Sequence, residues 1–296
     1  MLQDLKKGLW PLVRIIKDNT GINKNEFERR IRYRHRTFWN TPGAEAIRNT
    51  PMRADDPIEK WKDVVHWQRK LSNKHNAREF ARMHGCRVPD LYWRGKDVSR
   101  LNFNGLPEHY VIRPSIGHSC RNVYLMKNSL NLMDKRSYTP DALKEQLTLA
   151  LAQNPHMEFL VEEFVRDEKG IYRIPDDYKI FLFDGEVALI DVINRISSTT
   201  GATSCYDKDW NMLPNTAVKY QQAPSQPPPL CLPEIMTDAK KLSSAYGIFV
   251  RIDFYATDNG AVFGEFTPTP SLGKAFPPKE DKLMATYWDQ YCPGLI

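Results

Sequence analysis

The stretch from Tyr246 to Phe276 constrains the fold more than any other part of this sequence. Two runs of alternating, β-rich residues flank Asp258-Asn259-Gly260, a pattern that predicts a β-hairpin. The register of the hairpin decides which side chains share a face. A turn formed by the last two of these three residues would place Asp253 opposite Phe266 and away from Glu265.

A three-residue loop with Gly260 in the left-handed conformation gives a different register. This register pairs Asp253 with Glu265 and Arg251 with Thr267. Because only this register divides the hairpin into a charged and an apolar face, we predict it. The charged face would carry Arg251, Asp253, Tyr255, Phe263, Glu265 and Thr267, and the apolar face Ile252, Phe254, Ala256, Val262 and Phe266.

Two carboxylates directly opposite each other on adjacent strands repel unless a positive charge lies between them. Asp253 and Glu265 have no histidine or cysteine nearby in sequence, and oxygen ligands alone favour Mg²⁺ over zinc. Mg²⁺ held by one or two carboxylates usually takes its other ligands from phosphates and water, which indicates a nucleotide. The alternative is a pair of solvated strand residues with Arg251 as a salt-bridge partner.

The composition indicates a folded protein in a reducing compartment. Apolar residues make up 41% and aromatic residues 11% of the 296 residues, which excludes a disordered chain. There is no apolar run of about 18 residues and no signal-peptide pattern, so we expect a soluble, cytoplasmic protein. The five cysteines are far apart and lack CxxC spacing, which predicts neither a disulfide framework nor a zinc site.

The segment Asn23 to Arg36 predicts an amphipathic basic helix, and the net charge of +6 suggests anionic partners. Five arginines and one lysine are interleaved with Phe27, Ile31 and Tyr33. The basic residues between positions 29 and 36 suit a nucleic acid, an anionic membrane surface or an acidic substrate. The alternative is a solvated helix that packs its three apolar residues on the protein body.

Two other segments predict hairpins. Tyr110 to Met126 reads as strand, small-residue loop and strand, and its loop can present backbone N–H groups to phosphate oxygens between Arg113 and Arg121. An ordinary hairpin without a ligand is the alternative. Asp177 to Ile193 predicts a hairpin with a two-residue turn at Asp184-Gly185.

The order of these elements resembles the ATP-grasp superfamily of carboxylate–amine ligases. Within that superfamily it is most similar to the TupA-like branch associated with anionic cell-surface polymers, over about Leu71 to Pro278. The resemblance rests on six segments in the family's order. These segments are NKHNAREFARMHGCRVP, YVIRPSIGHSCRNVYLM, VEEFV, DYKIFLFDGEVALI, CYDKDWNMLP and RIDFYATDNGAVFGEFTPTPSLGKAF.

The resemblance implies an α+β ATP-grasp fold in which antiparallel sheets clasp a nucleotide between two subdomains. It also implies four parts of the chain. These are a helical basic N-terminal extension (1–70), a segment before the ATP-grasp domain (71–108), a central subdomain with phosphate loop and hinge (109–165), and a C-terminal subdomain with the metal hairpin (166–296).

The same resemblance implies which residues hold the cofactors, ATP and Mg²⁺, and which act on the reacting phosphate. ATP would contact Lys74, Arg113, Ser119, Glu162, Glu163, Val165, Asp177 and Lys179. The catalytic cations would be Lys179, Arg195 and Arg251. The metal ligands would be Asp253, Glu265 and Thr267.

The chain departs from the family pattern at three points. Arg113 replaces the usual lysine. The positive charge is kept, but a single ammonium group is replaced by a planar guanidinium that can donate two parallel hydrogen bonds. Thr267 replaces an asparagine and is the weaker metal ligand. The phosphate loop has a single glycine, Gly117.

The implied reaction activates a substrate carboxylate as an acyl phosphate, which an amine then attacks to give an amide bond. The substrates would be small or polymer-borne carboxylates and amines. Two other classes of function stay open. One is a phosphotransferase that uses the same ATP site on a sugar or alcohol hydroxyl, and the other is a non-catalytic binder of an anionic polymer or nucleic acid.

Overall fold

The computed structural model describes residues 25–39, 41–213, 220–274 and 276–294. The first 24 residues of the predicted N-terminal extension, including Lys24 of its basic helix, lie outside these ranges. The α-helices within the described ranges are α1 (Glu26–Arg34), α2 (Ala44–Arg48), α3 (Ile58–Trp61), α4 (Lys74–Met83), α5 (Pro140–Gln153), α6 (Leu232–Tyr246) and α7 (Pro278–Tyr291). Short 3-10 turns cover Trp67–Ser72, Val98–Arg100, Phe103–Gly105 and Pro270–Gly273, and a π turn covers His35–Trp39.

The strands form two separate sheets. The described strands are β1 (Leu91–Gly95), β2 (His109–Pro114), β3 (Tyr124–Lys127), β4 (Leu130–Asn131), β5 (Arg136–Ser137), β6 (Phe159–Glu163), β7 (Asp177–Phe183), β8 (Glu186–Arg195), β9 (Gly201–Tyr206), β10 (Met212–Leu213), β11 (Gln221–Gln222), β12 (Val250–Thr257) and β13 (Gly260–Thr267). The first sheet has the order β1-β6-β2-β3-β4-β5, and the second has the order β10-β9-β8-β7-β12-β13. Neighbours in both orders are antiparallel, and β11 joins β9 in parallel. The predicted α+β class with antiparallel sheets is confirmed.

Local sequence signals set several helix ends. Helix α5 begins after Thr139, whose side chain accepts a hydrogen bond from the Ala142 N–H, and Pro140 occupies its first turn. Helix α6 ends at Gly247, which has a φ of 78° in the left-handed region.

Helices pack against both sheets, and on the second sheet α1 and α7 also cover part of the face opposite α4 and α6. Leu143 and Leu147 of α5 pack against Ile112 and Phe159 of the first sheet. On the second sheet, α4 and α6 cover an apolar face that includes Ile252. Among the described residues, no helix has the length and apolar character needed to cross a lipid bilayer.

Strands β12 and β13 form the predicted metal hairpin. It has the predicted pairing near the carboxylates but a different turn. Asp253 pairs with Glu265 and Arg251 with Thr267, as predicted. The predicted three-residue loop is wrong, because Thr257 pairs with Gly260 across a two-residue turn. The extra residue is a β-bulge at Gly264, which restores the predicted register beyond it.

The bulge also corrects the predicted faces of the hairpin. Phe263 pairs with Phe254 and packs in the apolar core, which corrects its predicted position on the charged face. Val262 pairs with Tyr255 instead of lying on the apolar face. Between the turn and the bulge, the register is therefore shifted by one residue from the predicted one.

Helix α1 is basic, but its arginines are engaged within the protein. Arg34 is fully buried and donates hydrogen bonds to the carbonyls of Phe249 and Pro268. Its guanidinium also lies 4.7 Å from the ring centre of Trp288. Arg34 is thus not available to an anionic partner, which corrects the prediction for this member of the segment 29–36.

Candidate active site

A cleft of about 1210 Å³ is lined by residues of both sheets. It reaches every one of the residues that the resemblance assigned to ATP, metal or catalysis. These residues are Lys74, Arg113, Ser119, Glu162, Glu163, Val165, Asp177, Lys179, Arg195, Arg251, Asp253, Glu265 and Thr267. The fold therefore brings together segments that lie far apart in the sequence.

The centre of the site is a carboxylate held by two cations. Arg251 donates to both oxygens of Asp253, with Nε–Oδ1 at 2.6 Å and Nη2–Oδ2 at 2.8 Å. Lys179 Nζ donates to Oδ2 of the same carboxylate. Burial alone would raise the pKa of Asp253, but the charges of Arg251 and Lys179 overcome this effect and lower it.

Arg251 also joins the other two predicted metal ligands. Its Nη2 atom donates to Thr267 Oγ1 at 2.8 Å and lies 3.4 Å from Glu265 Oε1. The guanidinium thus supplies the positive charge that the opposed carboxylates require. The described part of the chain contains no cluster of three or more histidine, cysteine, aspartate or glutamate side chains placed to hold a metal. A metal here would depend on two carboxylates and a hydroxyl.

A second ion pair lies beside the first on the same sheet. Arg195 Nη2 is 2.6 Å from Asp177 Oδ2, and Lys179 Nζ is 3.6 Å from the same oxygen. Burial would lower the pKa of Arg195, but the charge of Asp177 raises it. Arg195 also donates to the hydroxyl of Tyr220 at 3.3 Å. Arg195 and Arg251 are therefore both charged and held in place at the cleft wall.

Lys74 connects the helical part of the chain to both sheets. It is the first residue of α4, and its backbone N–H donates to the Ser115 carbonyl at 2.7 Å. Its Nζ donates to the Gly117 carbonyl at 3.1 Å and lies 3.6 Å from Glu265 Oε2. The lysine thus lies between the predicted phosphate loop and the metal hairpin.

Three residues other than glycine take left-handed conformations in the predicted phosphate loop. Ser119, Cys120 and Asn122 have φ values of 59°, 56° and 56°, and Gly117 has a φ of 146°. Left-handed backbone is uncommon for residues other than glycine, and asparagine tolerates it better than most. The loop is therefore tightly turned at its tip despite its single glycine.

Arg113 is held by Glu162, which forms a buried ionic network at the hinge. Arg113 donates through Nε to Glu162 Oε2 and through Nη2 to Oε1 at 3.3 Å. Arg78 contacts the same carboxylate at 3.4 Å. Arg113 Nη1 also donates to the Gly264 carbonyl at 3.3 Å. Arg113 thus ties the first sheet to the bulge of the second.

The predicted adenine residues occupy the end of β6 and the chain after it. The side chain of Glu162 is engaged by Arg113 and Arg78, and its backbone lies in β6 between β1 and β2. Glu163 pairs with Tyr110 and accepts a hydrogen bond from the Asp90 N–H at 3.2 Å. Val165 lines the cleft.

Sequence reasoning missed two residues of this site, Arg78 and Asp191. Arg78 was not singled out, because its link to Glu162 joins α4 to β6 over a long separation in sequence. Asp191 of β8 also lines the cleft. Its signal was a single charge within the apolar run VALIDVI, which otherwise reads as a buried strand.

Comparisons with solved structures give partial likeness at low sequence identity. D-alanine–D-alanine ligase from Bacillus anthracis, solved with ATP, is 17% identical with a TM-score of 0.47, over 75% of this chain and 65% of that one. VanG D-Ala:D-Ser ligase from Enterococcus faecalis is 15% identical with a TM-score of 0.48, over 76% and 63% of the two chains. This chain therefore spans less than two thirds of the length of either ligase.

No curated protein sequence matches the chain. A family model does match it: the TupA-like ATP-grasp model aligns with residues 59–288, which is well over half of the sequence. The match includes all of the predicted site residues. The chain belongs to the TupA-like ATP-grasp family.

Proposed function

We propose that this protein is an ATP-dependent ligase that activates a substrate carboxylate as an acyl phosphate and joins it to an amine. The observation that carries the proposal is the cluster at the cleft, where Asp253 and Glu265 face each other among Lys74, Lys179 and Arg251. Such a cluster suits a triphosphate with its counter-ion better than it suits a neutral ligand.

The donor atoms of the predicted metal site fit Mg²⁺. Asp253, Glu265 and Thr267 offer oxygen atoms only, which suit a hard divalent cation. The side chain of Glu265 is one-third exposed to the cleft, at 33%. Bound there, Mg²⁺ would neutralise charge on the transferring phosphoryl group.

The cations of the cleft would orient ATP for phosphoryl transfer. Lys179 and Arg195 lie side by side on the cleft wall because both contact Asp177. Lys74 reaches the same region from the phosphate-loop side. Fixed positive charges around a γ-phosphate hold it in line and stabilise the charge that develops during transfer.

The apolar part of the cleft would protect an acyl phosphate from water. Phe181 and Leu189 line the cleft beside the ionic cluster. Ser198 lies in the turn after β8, and its N–H donates at 3.4 Å to the carbonyl of Met133, which follows β4 of the first sheet. Both residues line the cleft, so this contact joins parts of its wall that come from the two sheets. Exclusion of water from such a cleft would protect a reactive intermediate.

The test is a trapping experiment on the full chain. Purified protein is incubated with ATP, Mg²⁺, hydroxylamine and a panel of carboxylic acids, and both ADP and hydroxamate are measured. We expect equal amounts of ADP and hydroxamate with at least one acid, because hydroxylamine attacks an acyl phosphate readily. Glu265→Gln serves as the inactive control.

Two other results would reject the ligase. If phosphate from ATP ends on a substrate hydroxyl in a form stable to hydroxylamine, the protein is a phosphotransferase. If neither acids nor alcohols promote ADP formation while ATP binds, the domain binds nucleotide without catalysis.

A further inference from the structure

A row of paired side chains crosses the second sheet. Residues directly opposite each other on neighbouring strands share a face. Glu265 pairs with Asp253, Asp253 with Lys179, and Lys179 with Asp191. Asp191 pairs in turn with Cys205 of β9. The row thus continues past the proposed phosphate-binding lysine to a carboxylate that the proposed phosphoryl transfer does not use.

The carboxylate of Asp191 is not neutralised by a bound cation in the described part of the chain. Lys179 contacts Asp177 and Asp253, and Arg251 contacts Asp253 and Glu265. The polar partner of Asp191 is the thiol of Cys205, which donates a hydrogen bond to it. A thiol is a weak donor, so this contact leaves most of the carboxylate's hydrogen-bonding capacity unused.

The surroundings of Asp191 are apolar on two sides. Leu189 and Ile193 precede and follow it on the same face of β8, and both line the cleft with it. Phe181 lines the same part of the cleft. A carboxylate in such a place is costly unless a ligand of opposite charge compensates it.

We propose that Asp191 receives the amine substrate, binding its ammonium group and accepting its proton. The inference rests on the ligase function proposed above. Neighbouring strands lie about 4.8 Å apart, so Asp191 is one strand from Lys179 and two from Asp253. An amine nitrogen held by Asp191 lies beside the group that Lys179 holds, within reach of an acyl carbon there.

The step balances in protons and charge. The ammonium group gives one proton to the Asp191 carboxylate, and the freed nitrogen lone pair forms the C–N bond to the acyl carbon. The C–O bond to phosphate breaks, and its electron pair leaves with the phosphate. The nitrogen then gives its second proton to the departing phosphate, which leaves an amide and a protonated Asp191.

The acid–base character of Asp191 agrees with this role. Burial raises the pKa of its carboxyl group to about 6, partly offset by the Cys205 hydrogen bond and by the charges of Arg251 and Lys179. A proton acceptor works best when its pKa is near the working pH.

The test compares Asp191→Asn with the wild type in two reactions of the full chain. The first uses hydroxylamine with the carboxylic acid that the trapping experiment identifies. The second uses the same acid with primary amines, namely the standard amino acids apart from proline, and spermidine, and measures amide formation. Glu186→Gln, an exposed position on the same strand, is the matched control.

We expect Asp191→Asn to form hydroxamate within about threefold of the wild-type rate, because hydroxylamine is uncharged at neutral pH and needs no proton acceptor. Amide formation with primary amines should fall by about 10²-fold or more. Raising the pH should partly restore it, since more of the amine is then deprotonated in solution. The thermal midpoint of the variant should equal that of Glu186→Gln.

Three outcomes would overturn the inference, and they are distinguishable. If Asp191→Asn forms both amide and hydroxamate normally, the proposed amine subsite is wrong but the proposed ligase function stands. An equal loss of hydroxamate and amide places Asp191 in the earlier phosphoryl transfer. No hydroxamate from the wild type with any acid removes the proposed ligase and the subsite together.

Discussion

Asp253 and Glu265 face each other but are held very differently. Asp253 is 3% exposed and bound by Arg251 and Lys179. Glu265 has longer contacts, at 3.4 Å to Arg251 and 3.6 Å to Lys74. Asp253 is therefore fixed before any ligand arrives, whereas Glu265 has capacity for a further cation.

This difference predicts distinct effects of two amide substitutions. Glu265→Gln should leave the free energy of unfolding within about 0.5 kcal/mol of the wild type and lower turnover by about 10²-fold or more. Asp253→Asn should also destabilise the fold, by about 3 kcal/mol, because it leaves Arg251 and Lys179 without their buried counter-charge. Urea unfolding and ADP release measure the two effects. Normal turnover in folded Glu265→Gln would remove Glu265 from the reacting centre.

The arginines of helix α1 have the same charge but differ in burial and in their partners. Arg29 pairs with Glu26 on the surface, with 61% of its side chain exposed. Arg34 is buried against Trp288, and burial lowers the pKa of its guanidinium to about 10. Arg34 therefore contributes to the fold from a buried position, whereas Arg29 of the same helix stays at the surface.

We expect Arg34→Met to lower the free energy of unfolding by about 3 kcal/mol. The substitution leaves the Phe249 and Pro268 carbonyls without their donor and removes the stacking on Trp288. Arg29→Gln and Arg36→Gln are the controls, and each should change stability by less than about 0.5 kcal/mol. Equal stability of all three variants would show that the contacts of Arg34 do not contribute to the free energy of unfolding.

The bulge at Gly264 sets the register of the active-site half of the metal hairpin. A Cβ atom at this position would lie 3.0 Å from the Asp253 carbonyl oxygen, so the bulge requires glycine for close approach. The bulge also presents the Gly264 carbonyl to Arg113. One glycine thus positions the carboxylate pair and joins the two sheets.

Gly264→Ala should therefore destabilise the protein by about 1 to 3 kcal/mol and reduce turnover, since the added methyl pushes β13 away from β12. Gly105→Ala is a matched control, because a Cβ atom there meets its nearest neighbour at an ordinary 3.6 Å. Denaturant unfolding and ADP release give the two readouts. A Gly264→Ala protein with wild-type turnover would show that the hairpin tolerates a different register.

The sequence predicted the pairing of Asp253 with Glu265 but not the bulge that produces it. The predicted three-residue loop places the extra residue in the turn, whereas the observed bulge places it within β13. Both arrangements give the same pairing at the carboxylates, so the alternation of side chains there is the same. The difference appears only between the turn and the bulge, at Phe263 and Val262. Both are apolar, and alternation cannot assign them.

Across the whole molecule, the sequence predicted which residues meet in the cleft but not how they pair. The family's segment order places Arg113 and Glu162 in one site, since both segments occur in the expected order. It does not show that Glu162 binds Arg113, because that contact depends on the antiparallel pairing of β2 with β6. Contacts between distant segments follow from sheet topology, which motifs do not encode.

Because the cleft is formed by both sheets, a nucleotide bound there should stabilise the molecule as a whole. A ligand at about 100 times its Kd adds roughly 2.7 kcal/mol to the free energy of unfolding when it binds only the folded state. We expect ATP with Mg²⁺ to raise the thermal midpoint of the wild type, and ATP with a chelator to raise it less. Glu265→Gln should lose the part of the shift that depends on Mg²⁺, since its remaining amide oxygen carries no charge. An ATP shift that is identical with and without Mg²⁺ would place the metal away from Glu265, and the cations around Asp253 would then hold the phosphates on their own.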